Sequence, residues 1–122
     1  MIVEKSTDLP FPQAMDQLVF APLEMDNSFI IEFEKQKLEV SQSYKSDGKN
    51  YGWDQFDAIY GDKNVYTTPR DLVKFDIATY SDEFLPKHLK EEMLKGYSYE
   101  KNGINNYGLG IRMKEFKTGQ KI

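Results

Sequence analysis

The strongest local constraint in this chain is a helix start at Thr67-Thr68-Pro69-Arg70-Asp71. Thr68 can accept a backbone N–H with its hydroxyl, and Pro69 is preset for the first helical position. Asp71, three positions after the cap, can bond back and oppose the helix dipole. The sequence therefore predicts a helix from Pro69 to about Tyr80. Its apolar stripe would face a core and comprise Leu72, Phe75, Ile77, Ala78 and, less regularly, Val73.

Three further helices are predicted from apolar spacing and terminal residues. Residues 2–5 resemble the last turn of an apolar helix, and Pro12 to about Phe20 forms an amphipathic helix that Pro22 ends. Residues 86–95 form another helix, with Gly96 as its C-terminal cap. The residues expected to be buried are Ala14, Met15, Leu18 and Val19 in the second helix, and Leu89, Met93 and Leu94 in the last.

Short strands are predicted between and after these helices. The apolar or alternating pattern of residues 29–31 and 38–41 predicts short strands, and residues 46–50 predict a turn. Residues 106–113 predict a strand that leads into a hairpin turn at 116–120. Residues 26–62 otherwise form a long irregular connection, which is usual for functional loops. The expected fold class is α+β, a mainly helical subdomain with short strands and a C-terminal hairpin.

Composition excludes several kinds of site. The 16 Lys and Arg against 20 Asp and Glu give a net charge of −4 without a basic cluster, which disfavours nucleic acid as a partner. With no Cys and one His, no metal site or cofactor is expected. Hydrophobic residues make up 39%, below the usual roughly 45–50%, so we expect a thin core and exposed apolar surface that favours self-association.

Two motifs of nucleophilic hydrolases occur, and both are interpreted as chance matches. Ser46-Asp47-Gly48-Lys49 has the Ser-x-x-Lys spacing, but that chemistry needs a helix and these residues predict a loop. Residues 117–119 read Lys-Thr-Gly but fall in a predicted turn. His88 is expected on a solvated helix face.

An aromatic region offers an alternative function. The rings between Tyr44 and Tyr66 are either the core of this region or a platform for a glycan or peptide, with Tyr51, Trp53 and Tyr60 as the candidate ligand-binding residues. Both interpretations stay open on sequence alone.

Three blocks, taken in order, resemble the serine β-lactamase and D-alanyl-D-alanine carboxypeptidase (penicillin-binding-protein-like) family, in its class C-like branch. Residues 2–28 are similar to "I-I-E-x-x-S-G-x-P-F … I-F-x-P-L-G-M-x-N-T", residues 61–75 to "G-D-G-G-L-x-S-T-A-x-D-L-x-K-F", and residues 107–111 to "Y-G-L-G-W". The chain departs from four glycine positions of this pattern. Asp8 and Glu24 replace single glycines, and Lys63-Asn64 replaces a glycine pair.

The resemblance implies that residues 1–122 are one segment of a β-lactamase/transpeptidase-like domain, between the Tyr-x-Asn and His/Lys-x-Gly motifs. No catalytic residue then falls in this chain, which is expected to be inactive alone. Its implied role is to shape the substrate cleft of a parent serine hydrolase, with Gly61, Asp62 and Tyr66 as cleft candidates.

The parent's implied chemistry is acyl transfer on peptidoglycan peptides, β-lactams or simple esters. Its implied location is periplasmic or in the cell envelope. The implied partners are the remainder of the parent domain and the parent's small-molecule or peptide substrate.

Overall fold

The computed structural model describes residues 1–32, 40–52, 59–61, 64–101 and 104–114. The chain forms two compact units, Met1–Phe75 and Asp76–Ile122. Short helices and two small antiparallel sheets make an α+β protein, as the sequence predicts. No helix in the described part of the chain is long and apolar enough to cross a membrane.

The first unit begins with two short helices. Helix α1 spans Ile2–Thr7, and α2 spans Phe11–Met15 before it continues as a π-helical turn over Asp16–Phe20. The Ala21 N–H donates to the Asp16 carbonyl five residues back, at 2.9 Å. The predicted helix over residues 12–20 is therefore confirmed, although its second half has the wider π geometry.

The π turn changes which side chains face the core. Ala14 is buried as predicted, and Met15 and Val19 pack against the core, but Leu18, within the π turn, is 55% exposed. Phe20 takes the inward position. The buried cluster comprises Phe11, Phe20, Met25 and Ile30, with Val3, Met15, Val19, Leu23 and Tyr60 packed against it.

A two-stranded antiparallel sheet completes the first unit. Strand β1 (Phe29–Ile30) pairs with β2 (Val65–Tyr66) in the register Phe29 to Tyr66 and Ile30 to Val65. The predicted strand over residues 29–31 is thus confirmed. Half of the predicted strand 38–41 lies outside the described residues, and residues 40–41 form no strand. The turn at 46–50 is confirmed, with Gly48 at φ +79°.

Helix α3 spans Pro69–Tyr80 and begins as predicted. The Asp71 N–H donates to Thr68 Oγ1 at 3.3 Å. The prediction of a buried apolar stripe is wrong except for Ala78, because Leu72, Val73 and Ile77 are more than half exposed and Phe75 is 39% exposed. No described element covers this face, and the helix buries Asp71 instead.

The second unit contains α4 (Lys87–Met93) and a hairpin of β3 (Ser98–Lys101) and β4 (Ile104–Tyr107). Helix α4 ends at Leu94 (φ −89°), before the expected cap Gly96. It buries no residue, so the expected buried side of Leu89, Met93 and Leu94 is wrong. The C-terminal end of α4 therefore does not use a left-handed glycine.

The C-terminal strand is shorter than predicted and starts earlier. Strand β4 ends at Tyr107, and the Gly108 N–H then donates to the Ile111 carbonyl at 2.8 Å to close a turn. Gly110, at φ +76°, reverses the chain so that Tyr107 bridges Arg112. The predicted hairpin turn at 116–120 lies outside the described residues.

Candidate functional site

The first cleft candidate, Gly61, follows an anchored aromatic residue. The Tyr60 ring stacks on Phe11, a core residue, with 5.4 Å between ring centroids. Gly61 has φ +90°, a left-handed conformation that favours glycine. Asp62, the second candidate, lies outside the described residues. The backbone path at Gly61 is therefore set by the packed ring of Tyr60, which precedes it, and by the left-handed conformation of Gly61 itself.

The third cleft candidate, Tyr66, lies on β2 opposite Phe29. The two rings stack nearly parallel, at 5.7 Å and an interplanar angle of 10°. The next residue, Thr67, places its Oγ1 2.7 Å from Ser28 Oγ. A cross-strand aromatic pair and a hydroxyl pair thus hold the Tyr66 backbone at the end of the strand pair.

Sequence reasoning identified Asn64 only as a replacement for a glycine, not as a candidate site residue. It is 6% exposed, has φ +87°, and its carbonyl accepts the Ile31 N–H at 3.0 Å. Its side-chain Oδ1 and Nδ2 are buried without a hydrogen-bond partner. A buried unpaired amide costs stability, so this position carries a local energetic penalty.

Asp71 holds this region from helix α3. Its side chain is fully buried, and Oδ2 accepts the Asn27 N–H at 2.8 Å and the Ser28 hydroxyl at 2.9 Å. Lys74 Nζ lies 3.5 Å from the other carboxylate oxygen and also donates to the Glu24 carbonyl. The expected bond back to the helix cap is replaced by these long-range contacts, which the residue pattern around the cap does not encode.

The same contacts set the charge state of Asp71. Burial alone raises the pKa of this carboxyl, because the charged form loses its hydration. The hydrogen bonds from Ser28 and Asn27 and the Lys74 ammonium outweigh burial and hold the pKa below its ordinary value. Asp71 is therefore a buried carboxylate anion at neutral pH.

A pocket of about 290 Å³ lies between α2, the π turn and β1. Its lining mixes rings, carboxamides and carboxylates: Pro12, Gln13, Asp16, Gln17, Phe20, Ser28, Phe29, Ile30 and Glu32. Ser28 belongs both to this pocket and to the contacts around Asp71.

The alternative aromatic site is divided among different surroundings. Tyr51 is 64% exposed, with Lys45 Nζ 5.6 Å from its ring centroid, whereas the half-buried Tyr60 packs on Phe11. Trp53 lies outside the described residues. Tyr51 is thus the candidate whose ring is open to a ligand.

The Ser-x-x-Lys motif has no helical geometry. Residues 45–48 form a turn closed by the Gly48 N–H to the Lys45 carbonyl at 2.9 Å, and the exposed Lys49 amine lies 3.4 Å from Asp47. The Lys117-Thr118-Gly119 motif lies outside the described residues. His88 is exposed on α4. Among the residues described, no group of three His, Asp or Glu is placed to hold a metal ion.

Backbone geometry agrees with the resemblance at three of the four glycine positions, since Lys63 lies outside the described residues. Asp8 (φ +55°), Glu24 (φ +55°) and Asn64 (φ +87°) are the non-glycine residues with positive φ in the described chain. The family pattern has glycine at these positions, where a left-handed backbone is unstrained. These three residues therefore have the backbone conformation that glycine adopts most readily.

Comparison with known proteins agrees with this reading. Residues 1–121 match the protein family described as Beta-lactamase. Neither the curated proteins nor the solved structures gave a match. With nearly the whole chain matched and its left-handed residues at the family's glycine positions, the protein belongs to the Beta-lactamase family.

Proposed function

We propose that this chain forms part of the substrate-cleft wall of a serine hydrolase domain of the class C-like type. The domain transfers acyl groups from peptidoglycan peptides, β-lactams or simple esters, and the nucleophile and its bases come from other parts of the domain. The observation that carries the proposal is the family match over residues 1–121. On this proposal Gly61, Asp62 and Tyr66 line the cleft without performing chemistry.

The geometry of the described site supports a wall function. A cleft wall selects substrates by what it excludes, so its side chains must be held in place. Tyr66 is held by its Phe29 stack and Gly61 by the anchored Tyr60. Ser46 and Lys49 lie in an exposed turn, which supports assigning the nucleophile elsewhere.

The apolar face of α3 supports a partner within the same domain. Leu72, Val73, Ile77 and Tyr80 are 51–79% exposed, although a helix with this pattern normally buries such residues. We assign this face to contact with the remainder of the domain. For the 122-residue chain alone, we expect light scattering to show self-association that Ile77→Lys reduces and Leu18→Lys does not. A stable monomer at high concentration would count against this assignment.

The first test is the reading frame that encodes this chain. It should encode Ser-x-x-Lys and Tyr-x-Asn before residue 1 and His/Lys-x-Gly after residue 122, and a signal for export to the periplasm or cell envelope. In the protein made from that frame, Tyr66→Ala should raise KM for a chromogenic ester several-fold, with little change in kcat. The matched control is Tyr44→Ala, which removes an exposed ring outside the proposed wall, whereas Tyr66 is half-buried. A frame without these motifs, or equal effects of the two variants, would contradict the proposal.

The exposed ring of Tyr51 favours a second candidate, a glycan- or peptide-binding module without catalysis. Titration of the 122-residue chain with oligosaccharides or peptides can be followed by the fluorescence of Trp53, its single tryptophan. Saturable quenching that Tyr51→Ala abolishes would support this module. An unchanged signal would leave the cleft-wall function as the better account.

A further inference from the structure

The contacts of Asp71 connect two segments that are distant in sequence, residues 27–28 and 67–74. We define the Asp71 network as Asp71, Asn27, Ser28, Thr67 and Lys74. Asn27 and Ser28 are 44 and 43 residues before Asp71, and Ser28 Oγ also lies 2.7 Å from Thr67 Oγ1. The network therefore joins the first turn of α3 to the segments that lead into β1 and out of β2.

The network lies at one end of the strand pair that carries Tyr66. Because Phe29 pairs with Tyr66, Ser28 and Thr67 occupy the next register position. Their hydroxyls meet there, and Asp71 accepts from Ser28 on the side of the helix. The buried carboxylate of Asp71 thus sets the position of Tyr66 relative to α3 through Ser28 and Thr67, the register pair next to Phe29 and Tyr66.

The network holds one left-handed backbone position, at Glu24, and the adjoining strand pair holds another, at Asn64. Glu24 and Asn64 have left-handed conformations, which cost a side-chain-bearing residue about 1–2 kcal/mol. Strained residues persist where their surroundings fix them from several directions. Lys74 donates to the Glu24 carbonyl, and the strand pair binds the Asn64 carbonyl through Ile31.

We propose that Asp71 is a positioning residue for the cleft wall: it fixes the β1–β2 pair, and with it Tyr66, to helix α3. The proposal rests on the proposed function for the identity of the cleft. It assigns Asp71 no contact with substrate. The burial of a carboxylate that accepts from both a backbone N–H and a hydroxyl of the same loop is the feature that supports it.

Amide hydrogen exchange of the 122-residue chain tests the positioning role without any substrate. The reporter is the Ile31 amide, bonded to Asn64, and the reference is the Ala14 amide, bonded to the Pro10 carbonyl in the same unit. In Asp71→Asn we expect exchange at Ile31 to accelerate at least tenfold more than at Ala14. The control Asp76→Asn changes an exposed aspartate on the same helix and should leave both rates within twofold.

Ser28→Ala provides a milder variant in case Asp71→Asn does not fold. It removes one donor to Asp71 and should accelerate Ile31 exchange several-fold over Ala14. Combined with Asp71→Asn, its effect should be less than multiplicative, since both remove the same contact. Equal acceleration at Ile31 and Ala14, or an unchanged Ile31 rate in both variants, would overturn the proposal.

A kinetic split separates positioning from general support of the fold. In the protein made from the full reading frame, Ser28→Ala should raise KM for the ester several-fold with kcat within twofold. A fall in kcat at constant KM would overturn the positioning role. Exchange is measured without substrate, so it tests the positioning role independently of the proposed function. If exchange at Ile31 accelerates as expected but the reading frame lacks the catalytic motifs, only the proposed function is contradicted.

Discussion

Residues 1–75 and the described part of residues 76–122 are stabilised by different kinds of contact. The first unit buries Phe11, Phe20, Met25 and Ile30 in one cluster and adds the buried Asp71 network. The second buries two apolar residues, Ala78 and Met113, among those described. Its other contacts include the β3–β4 hairpin and exposed ion pairs such as Lys87 with Glu91 at 4.0 Å.

The difference indicates which contacts can hold a surface in one conformation when a chain has few apolar residues. Exposed ion pairs add little stability, whereas a packed cluster and a buried network of hydrogen bonds define one geometry. The cleft candidates Gly61 and Tyr66 both lie in the better packed unit. Four changes would break or sharpen this contrast.

The largest effect is expected from truncating the core of the first unit. Phe20→Ala should lower its free energy of unfolding by about 3–5 kcal/mol, because a buried ring leaves a cavity. Urea denaturation followed by NMR should show residues of the first unit unfolding at lower urea. Leu18→Ala, at an exposed site on the same π turn, should change stability by less than about 0.5 kcal/mol. Equal losses in the two variants would show that the cluster is not the core.

In the second unit, the position most sensitive to added volume is Gly108. A Cβ at this residue would lie 2.1 Å from the Met93 carbonyl oxygen, so the backbone must shift. Gly108→Ala should cost about 1–3 kcal/mol and accelerate exchange of the Leu109 amide, which donates to that carbonyl at 3.0 Å. Leu109→Ala, at an exposed side chain, is the control. Normal Leu109 protection in Gly108→Ala would contradict the close approach.

A stabilising change is expected at Asn64. Asn64→Gly should raise the free energy of unfolding by about 1 kcal/mol, because it relieves the left-handed backbone and removes the unpaired amide. Asn64→Ala removes the amide but keeps a Cβ at positive φ, so it should gain less. Thermal melts of both variants measure this order. A loss of stability in Asn64→Gly would show that the amide has a stabilising partner.

The smallest effect on stability is expected from changes in pH and salt. These changes should affect a carboxylate of the first unit, Asp71, and one of the second unit, Asp82, differently. Hydrogen bonding and the charge of Lys90 lower the pKa of Asp82, and the Asp71 network lowers the pKa of Asp71 despite burial. Each carboxylate therefore stabilises the fold above the ordinary aspartate pKa of about 3.9 and loses this contribution as pH falls through its lower folded pKa. Salt at 0.5 M should raise the pKa of the exposed Asp82 toward its ordinary value and leave the pKa of Asp71 low, because salt screens exposed charges more than buried ones. NMR titration of the two carboxyl groups measures both pKa values. Equal salt sensitivity of the two would contradict the burial of Asp71.

Local signals predicted the elements, and long-range contacts decided their burial. Thr68 and Pro69 fix the start of α3 within five residues, so the sequence was sufficient there. The burial of Asp71 depends on Asn27 and Ser28, more than 40 residues away, and no local pattern indicates it. Strand β3 was not predicted because Ser98–Lys101 lacks an alternating apolar pattern.

The candidate site was predicted in part. The resemblance located Gly61 and Tyr66 and named the residues that replace glycines, and the structure adds that Asp8, Glu24 and Asn64 have left-handed backbone. The unpaired amide of Asn64 is a consequence of packing, which a single sequence does not specify. Whether Gly61, Asp62 and Tyr66 contact substrate stays a prediction.

The central claim is that this chain shapes a cleft and does not carry the nucleophile. Incubation of the 122-residue chain with a fluorescent penicillin and a chromogenic ester, followed by intact mass spectrometry, tests it most directly. The account predicts an unchanged mass and no turnover above buffer. A stoichiometric acyl adduct on Ser46, with turnover abolished in Ser46→Ala, would contradict it.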